Sequence, residues 1–211
     1  MPQMITKLTQ KIEYLATKTN IIYRIAAQYY YKVVRNEINL AKITQQDHIL
    51  CIGGGFCPFS AILLHQETGA RVTVIDNNRD CIPKAREVVE KMGLSEHINL
   101  FCKDGCCPEL SFFEYSVVHF ALQVTPIECV FNEVKEKVLP GTKILVRRPK
   151  GCLKKMYCKF SNSFVNCNQS IFHNGACNIG STLLYLAERK NEKENMVYCP
   201  NITPTHCSVA V

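Results

Sequence analysis

His48-Ile-Leu-Cys-Ile-Gly-Gly-Gly-Phe-Cys-Pro-Phe-Ser-Ala-Ile-Leu-Leu-His65 passes from a short apolar run into three glycines and out into an apolar pattern at helical spacing. Arg71-Val-Thr-Val-Ile-Asp76 follows as a second apolar run that ends in an acid. That order predicts strand, tight turn, helix, strand. Glycines at such a turn let the backbone pass close to a ligand, and the helix N-terminus beyond offers unpaired N–H groups and a positive dipole end. A carboxylate ending the next strand, roughly 20 residues on, is placed to accept hydrogen bonds from a ribose. The stretch reads as a cradle for a nucleoside-containing cofactor; the plainer reading is a βαβ turn that holds nothing.

The spacing distinguishes between cofactors. Gly53-x-Gly55 lacks the third glycine of the dinucleotide fingerprint, because Pro58 stands there and has no N–H to give a pyrophosphate. A NAD site is disfavoured. S-adenosylmethionine (SAM) carries no phosphate and needs only a close glycine turn and an acid for its ribose. Gly53, Gly54, Gly55 and Pro58, with Asp76 and the adjacent Asn77, are therefore the expected SAM-binding residues.

Working outward, residues 3–43 contain no Gly or Pro and read as helix. Ile5, Leu8, Ile12 and Leu15 keep helical spacing, and Thr19 or Asn20 could cap a second helix to about Leu40. On that helix Tyr30 and Glu37 lie two turns apart and share a face. They either roof the cofactor pocket or, as with the neighbouring tyrosines, pack the helix against the sheet.

Downstream, Cys81 to Met92 is helical by pattern and is stopped by Gly93, and Ile98 to Cys102 is a third strand followed by Asp104 and Gly105. This acid is placed either to meet an adenine amino group or simply to make an Asp-Gly turn. Tyr115 to Leu122 reads as a fourth strand with Ala121 near its end, Pro126 to Val138 as a helix, and Thr142 to Val146 as a fifth strand. Strands alternating with helices predict an α/β fold, a doubly wound, mostly parallel Rossmann-like sheet with an N-terminal helical extension, whose ligands bind beyond the strands' carboxyl ends. The divisions are an extension over 1–43, a SAM-binding domain over 44–190 and a loosely ordered tail over 191–211.

At 211 residues and 47% hydrophobic content the chain can bury one good core. No apolar run approaches the roughly 20 residues of a membrane span, and no signal-peptide pattern opens the sequence, so a cytoplasmic protein without a membrane partner is expected. The thirteen cysteines are odd in number, and several, such as Cys51 and Cys102, sit in strand-like runs, which favours buried free thiols. No pair of C-x-x-C units at zinc spacing occurs, so no structural metal is expected. Base methylation of nucleic acid is disfavoured because the fourth strand ends in Ala121-Leu-Gln-Val124, without the Asn/Asp-Pro-Pro-aromatic motif of such enzymes.

The run from Tyr30 to about Phe160 resembles the SAM-binding core of nicotianamine synthases, which are built on the class I methyltransferase fold. The matching residues are Tyr30 with Asn36-Glu37, Ile52-Gly-Gly-Gly55 with Pro58 and Ile62-Leu-Leu64, Gly69 with Arg71-Val72, Asp76, Asp104, and Thr142 through Arg147 with Gly151; Asn178 to Leu186 matches more weakly as a late strand. The resemblance implies transfer of the aminobutanoyl group of SAM to a small amine or amino acid. Methyl transfer to a small molecule is the alternative. An attacking amine must be neutral, so a nearby Glu or Tyr should take its proton, with Glu37 and Tyr30 as candidates. Arg147 would hold an acceptor carboxylate by a bidentate pair, if it is not just a solvated charge. A homodimer is compatible with this reading. A different class of function, a non-catalytic module binding nucleic acid or an acidic partner, would use the basic tract Arg147, Arg148, Lys150, Lys154, Lys155 and Lys159.

Overall fold

In the computed structural model, which describes residues 2–107, 111–157 and 166–188, two helices, α1 (Pro2–Lys18) and α2 (Asn20–Ala41), precede the sheet. The elements then alternate as β1 (His48–Ile52), α3 (Phe59–Thr68), β2 (Arg71–Asp76), α4 (Cys81–Lys91), β3 (Ile98–Cys102), β4 (Val117–Phe120), α5 (Ile127–Lys137) and β5 (Lys143–Pro149). A hairpin of β6 (Gln169–Phe172) and β7 (Ile179–Leu186) completes a seven-stranded sheet in the order β3-β2-β1-β4-β5-β7-β6. All pairings through β5 are parallel, while β7 is antiparallel to both β5 and β6. The reversal after β1, where β2 lies on one side and β4 on the other, opens a crevice at the strands' carboxyl ends.

Each inner strand is apolar on both faces because both faces are covered. Ile49, Cys51, Val72, Val74, Val117 and Leu145 pack under α2, α3 and α4, while Leu50, Ile52, Val118, Phe120, Ile144 and Val146 pack against α5. The architecture is thus doubly wound, as the alternation predicts.

Several boundaries differ from expectation. β4 pairs only over Val117–Phe120, leaving Tyr115 and Leu122 outside it, because the chain turns at Ala121, whose carbonyl accepts from the Val124 N–H at 3.3 Å. β5 runs three residues beyond Val146, so Arg147 lies within the strand and not past it. β6 was not foreseen: four residues, largely exposed, carry no alternation to read. On α1 the stripe containing Ile12 and Leu15 points to solvent, 45% and 46% exposed, and the neighbouring face with Ala16 packs inward.

Cysteine chemistry also departs from the expected set of buried thiols. Cys51 is buried and free, but Cys102 is exposed, and Cys106 and Cys129 form a disulfide. Strand β3 is an edge, which leaves Cys102 uncovered. The tail over 191–211 lies outside the described residues. No helix among the described residues is long and apolar enough to cross a membrane.

Candidate active site

The glycine turn is held in a conformation that only glycine adopts freely. Gly53 and Gly55 have φ of 87° and 64°, in the left-handed half of the backbone map. The Gly53 N–H donates to the Ile75 carbonyl at 2.8 Å, and the Gly55 N–H donates to Asp76 Oδ2 at 2.8 Å, so the turn is tied to the end of β2. Asp76 Oδ1 accepts from the Asn78 N–H at 2.9 Å. Each carboxylate oxygen keeps further lone-pair capacity for a ligand hydroxyl. A Cβ at Gly53 would stand 3.2 Å from both Ala121 and Val124, and one at Gly55 would collide with the Glu13 carboxylate.

A cleft of about 210 Å³ opens over this turn. Its lining includes Gly53, Gly54 and Gly55 with Asp76 and Asn77, together with Asp104 and Gly105 from beyond β3 and Ala121 from beyond β4. Asp104 is exposed and uses Oδ1 to accept the Cys106 N–H at 3.0 Å, which shapes its loop. Pro58, Tyr30, Arg147 and Glu13 of α1 also line the cleft. Every site residue expected from the sequence borders the cleft except Glu37.

Glu13 reaches the turn because α1 crosses its mouth; the Phe56 N–H donates to Glu13 Oε2 at 3.3 Å. Burial pushes its carboxyl up to about 8, and the charge of Asp76 adds to the rise against the lowering pull of that hydrogen bond. Tyr30 lies beside it, its ring stacked on Phe59 with centroids 5.4 Å apart and the Arg147 guanidinium 5.7 Å from its own centroid. Burial raises the Tyr30 hydroxyl well above its ordinary range; nearby Glu13 reinforces this and Arg147 opposes it.

No protein-family model matches the chain. Over 120 residues it is 25% identical to L-histidine 2-aminobutanoyltransferase of Pseudomonas aeruginosa, in strains UCBPP-PA14 and PAO1 alike. The match takes in 56% of this chain and 44% of those relatives, so the chain matches less than half of their length. Among solved structures, the nicotianamine synthase MtNAS in complex with MTA and tNA superposes with a TM-score of 0.71 at 23% identity, covering 85% of this chain and 70% of that one. A point mutant of MtNAS in complex with S-adenosylmethionine gives 0.72 at 22% identity, over 86% and 72%. An RNA methyltransferase from Salinibacter ruber in complex with S-adenosyl-L-homocysteine gives 0.60 at 18%, over 77% and 94%. The fold is nicotianamine synthase-like.

Within this nicotianamine synthase-like fold, Glu37 and Arg147 have a different task from the one expected of them. Glu37 is fully buried between α2 and the sheet, and both its oxygens are saturated. Oε1 accepts from Arg147 Nε at 2.8 Å and Thr182 Oγ1 at 2.7 Å; Oε2 accepts from Arg147 Nη2 at 2.8 Å and His119 Nε2 at 3.2 Å. Burial alone would raise its pKa, but Arg147 and then His119 hold it well below the carboxylate range. A carboxylate with four donors and no access to the cleft cannot take a proton from a substrate. Arg147, in turn, spends its fork on Glu37 and donates from Nη1 to Ser60 Oγ at 2.8 Å, so it is committed internally and not a free clamp for an acceptor carboxylate.

The residue that sequence reading missed is Glu13. Its only local signal was an acid interrupting a helical pattern, and its contact with Gly55 arises from how α1 docks. Of the basic tract, Arg147 is buried and Lys159 lies outside the described residues. Among the described residues no group of three or more His, Cys, Asp or Glu could hold a metal ion.

Proposed function

We propose that the protein is a SAM-dependent transferase that moves the aminobutanoyl group to a small amine or amino acid. The observation that carries the reading is the meeting, in one cleft, of the glycine turn tied to Asp76 with Glu13, an acid poised to exchange protons near neutral pH. The 25% identity to L-histidine 2-aminobutanoyltransferase supports aminobutanoyl over methyl transfer.

The cradle suits a phosphate-free adenosyl group. Its turn favours glycine at Gly53 and Gly55 through their positive φ, which lets the backbone approach a ligand closely, and Asp76 and Asp104 offer carboxylate acceptors for hydroxyl and amino groups. When bound, SAM supplies a sulfonium whose flanking carbons are open to a nucleophile, and displacement at one of them breaks a C–S bond as a C–N bond forms. The protein's part is alignment and proton management. Glu13 in its carboxylate form accepts the proton that the amine sheds on attack, Tyr30 closes the acceptor side beside it, and Phe59 and Arg147 both pack against the Tyr30 ring.

Incubation with SAM and a panel of amines and amino acids, followed by mass spectrometry, tests the reading. Methylthioadenosine with an acceptor heavier by the aminobutanoyl group is the expected result. S-adenosylhomocysteine with a methylated acceptor would replace it by methyl transfer, and neither product with any acceptor would overturn it.

A further inference from the structure

The Cys106–Cys129 disulfide joins two walls of the cleft. Cys106 follows Gly105, which borders the cleft from the loop after β3; Cys129 precedes Val130, which borders it from α5. The two walls are already packed face to face, since a Cβ at Gly105 would lie 2.6 Å from Val130 Cγ1 and 3.4 Å from Ile52. The loop starts anchored, with the Lys103 N–H donating to the Asp76 carbonyl at 3.1 Å. Among the described residues beyond that point, Asp104 is held by the Asx-type bond from the Cys106 N–H at 3.0 Å, and the Cys107 N–H donates to the Asp104 carbonyl at 3.0 Å. Those two bonds are internal to the loop, so the disulfide is the covalent tie from Asp104's loop to α5. Cys129 is exposed and Cys106 partly so, which leaves the bond open to attack by an external thiol.

We propose that Cys106–Cys129 is a thiol-exchange site that sets the affinity of the cleft for its adenosyl ligand, with small dithiols or dithiol proteins as its reaction partners. This rests on the cofactor reading given above. A dithiol's thiolate attacks the exposed Cys129 sulfur, the S–S bond breaks and Cys106 leaves as a thiolate that takes up a proton. The second thiol of the reductant then closes its own disulfide and releases Cys129 as a thiol. Two electrons pass from the dithiol to the protein disulfide, and two protons end on the cysteines. Once the bond is open, the loop bearing Asp104 and Gly105 keeps only its packing on Val130 of α5, without the covalent tie, and the wall is ordered at greater entropic cost each time ligand binds. The coupling is reciprocal: whatever factor reduction takes from ligand affinity, bound ligand takes from the equilibrium for reduction.

The test uses the full-length chain. Titration calorimetry with SAM is run on air-oxidised protein, on protein held in dithiothreitol, and on the Cys106→Ser/Cys129→Ser double variant. In parallel, hydrogen exchange is followed over residues 102–107, and alkylation mapping reads which thiols are free. Expected are protection of Cys106 and Cys129 from alkylation before reduction, affinity weakened about fivefold or more on reduction, and faster exchange over 102–107. The double variant should bind like reduced protein and ignore dithiothreitol. Equal affinity in both redox states of the wild type, or alkylation of both cysteines without reductant, would overturn the proposal. Failure of SAM to bind in either state would count against the cofactor reading instead; the exchange rates then decide the tether, faster on reduction upholding it and unchanged overturning it.

Discussion

Only the carboxylate form of Glu13 can take a proton from an attacking amine, and with its pKa pushed up to about 8 that form grows in as pH rises toward and past that value. The transfer rate at saturating SAM should therefore climb with pH through about 8, and Glu13→Gln should lower it by roughly 10²- to 10⁴-fold while leaving SAM affinity close to that of the wild type. Steady-state assays across pH with both proteins check this. The same shift has a stability signature. The folded state keeps the Glu13 proton until about 8, whereas the unfolded chain gives it up near 4.5, so between those values the folded state binds more protons and stability falls as pH rises. Glu13→Gln should flatten that part of the stability profile in urea titrations at a series of pH values. At Gly55, alanine would take a φ of 64° and press on the Glu13 carboxylate. A loss of about 1–3 kcal/mol is expected, with SAM binding weakened. The glycine turn and Asp76 were legible because their chemistry is local. Glu13 was not, since nothing within a few residues of position 13 records that Gly55 will lie against it.

Helix α2 and the strands beneath it are joined by a polar chain through an otherwise apolar layer. The Asn36 amide faces His173 Nδ1 at 3.4 Å, His173 Nε2 donates to the Thr182 hydroxyl at 2.8 Å, and that hydroxyl spends its own proton on Glu37. Burial, with Arg147 acting the same way and Glu37 opposing, lowers the pKa of His119, so it serves Glu37 as a neutral donor. Removing one partner of such a group leaves an uncompensated charge in the interior. Glu37→Ala should cost about 3–5 kcal/mol, read as a lower denaturant midpoint. That cost should appear in stability and not, in the remaining folded protein, as a missing catalytic base. Element types were well encoded: five strands and their helices follow from apolar periodicity and glycine stops. The orientation of α1 was not, because Ile12 and Leu15 keep helical spacing yet face water, and β6 was not, because its few, largely exposed residues bury too little to leave a pattern. Tyr30 and Glu37 do lie on one helix, but they look into different compartments, one the cleft and the other the interior of the sheet layer.

For the molecule as a whole, the cleft is assembled from the ends of β1, β2, β3 and β4, from Arg147 of β5, from residues of all five α-helices and from the start of β7. A ligand that binds only this assembled state stabilises it by mass action, so SAM at about 100 times its dissociation constant should add about 2.7 kcal/mol to unfolding stability, measurable as a shift in thermal midpoint. The parallel order of the first five strands could be argued from alternation alone. The insertion of β7 between β5 and β6 depends on pairings across the whole chain that no local window contains.

That late strand has a temporal consequence. Thr182 lies 145 residues beyond Glu37, so during synthesis the helix carrying Glu37 leaves the ribosome long before its hydroxyl partner exists. At ordinary translation speeds the interval is on the order of ten seconds. Over the whole period the Glu37 carboxylate gains its partners in order of synthesis, His119 and Arg147 first and Thr182 last, so this buried polar cluster is complete only after β7 has been made.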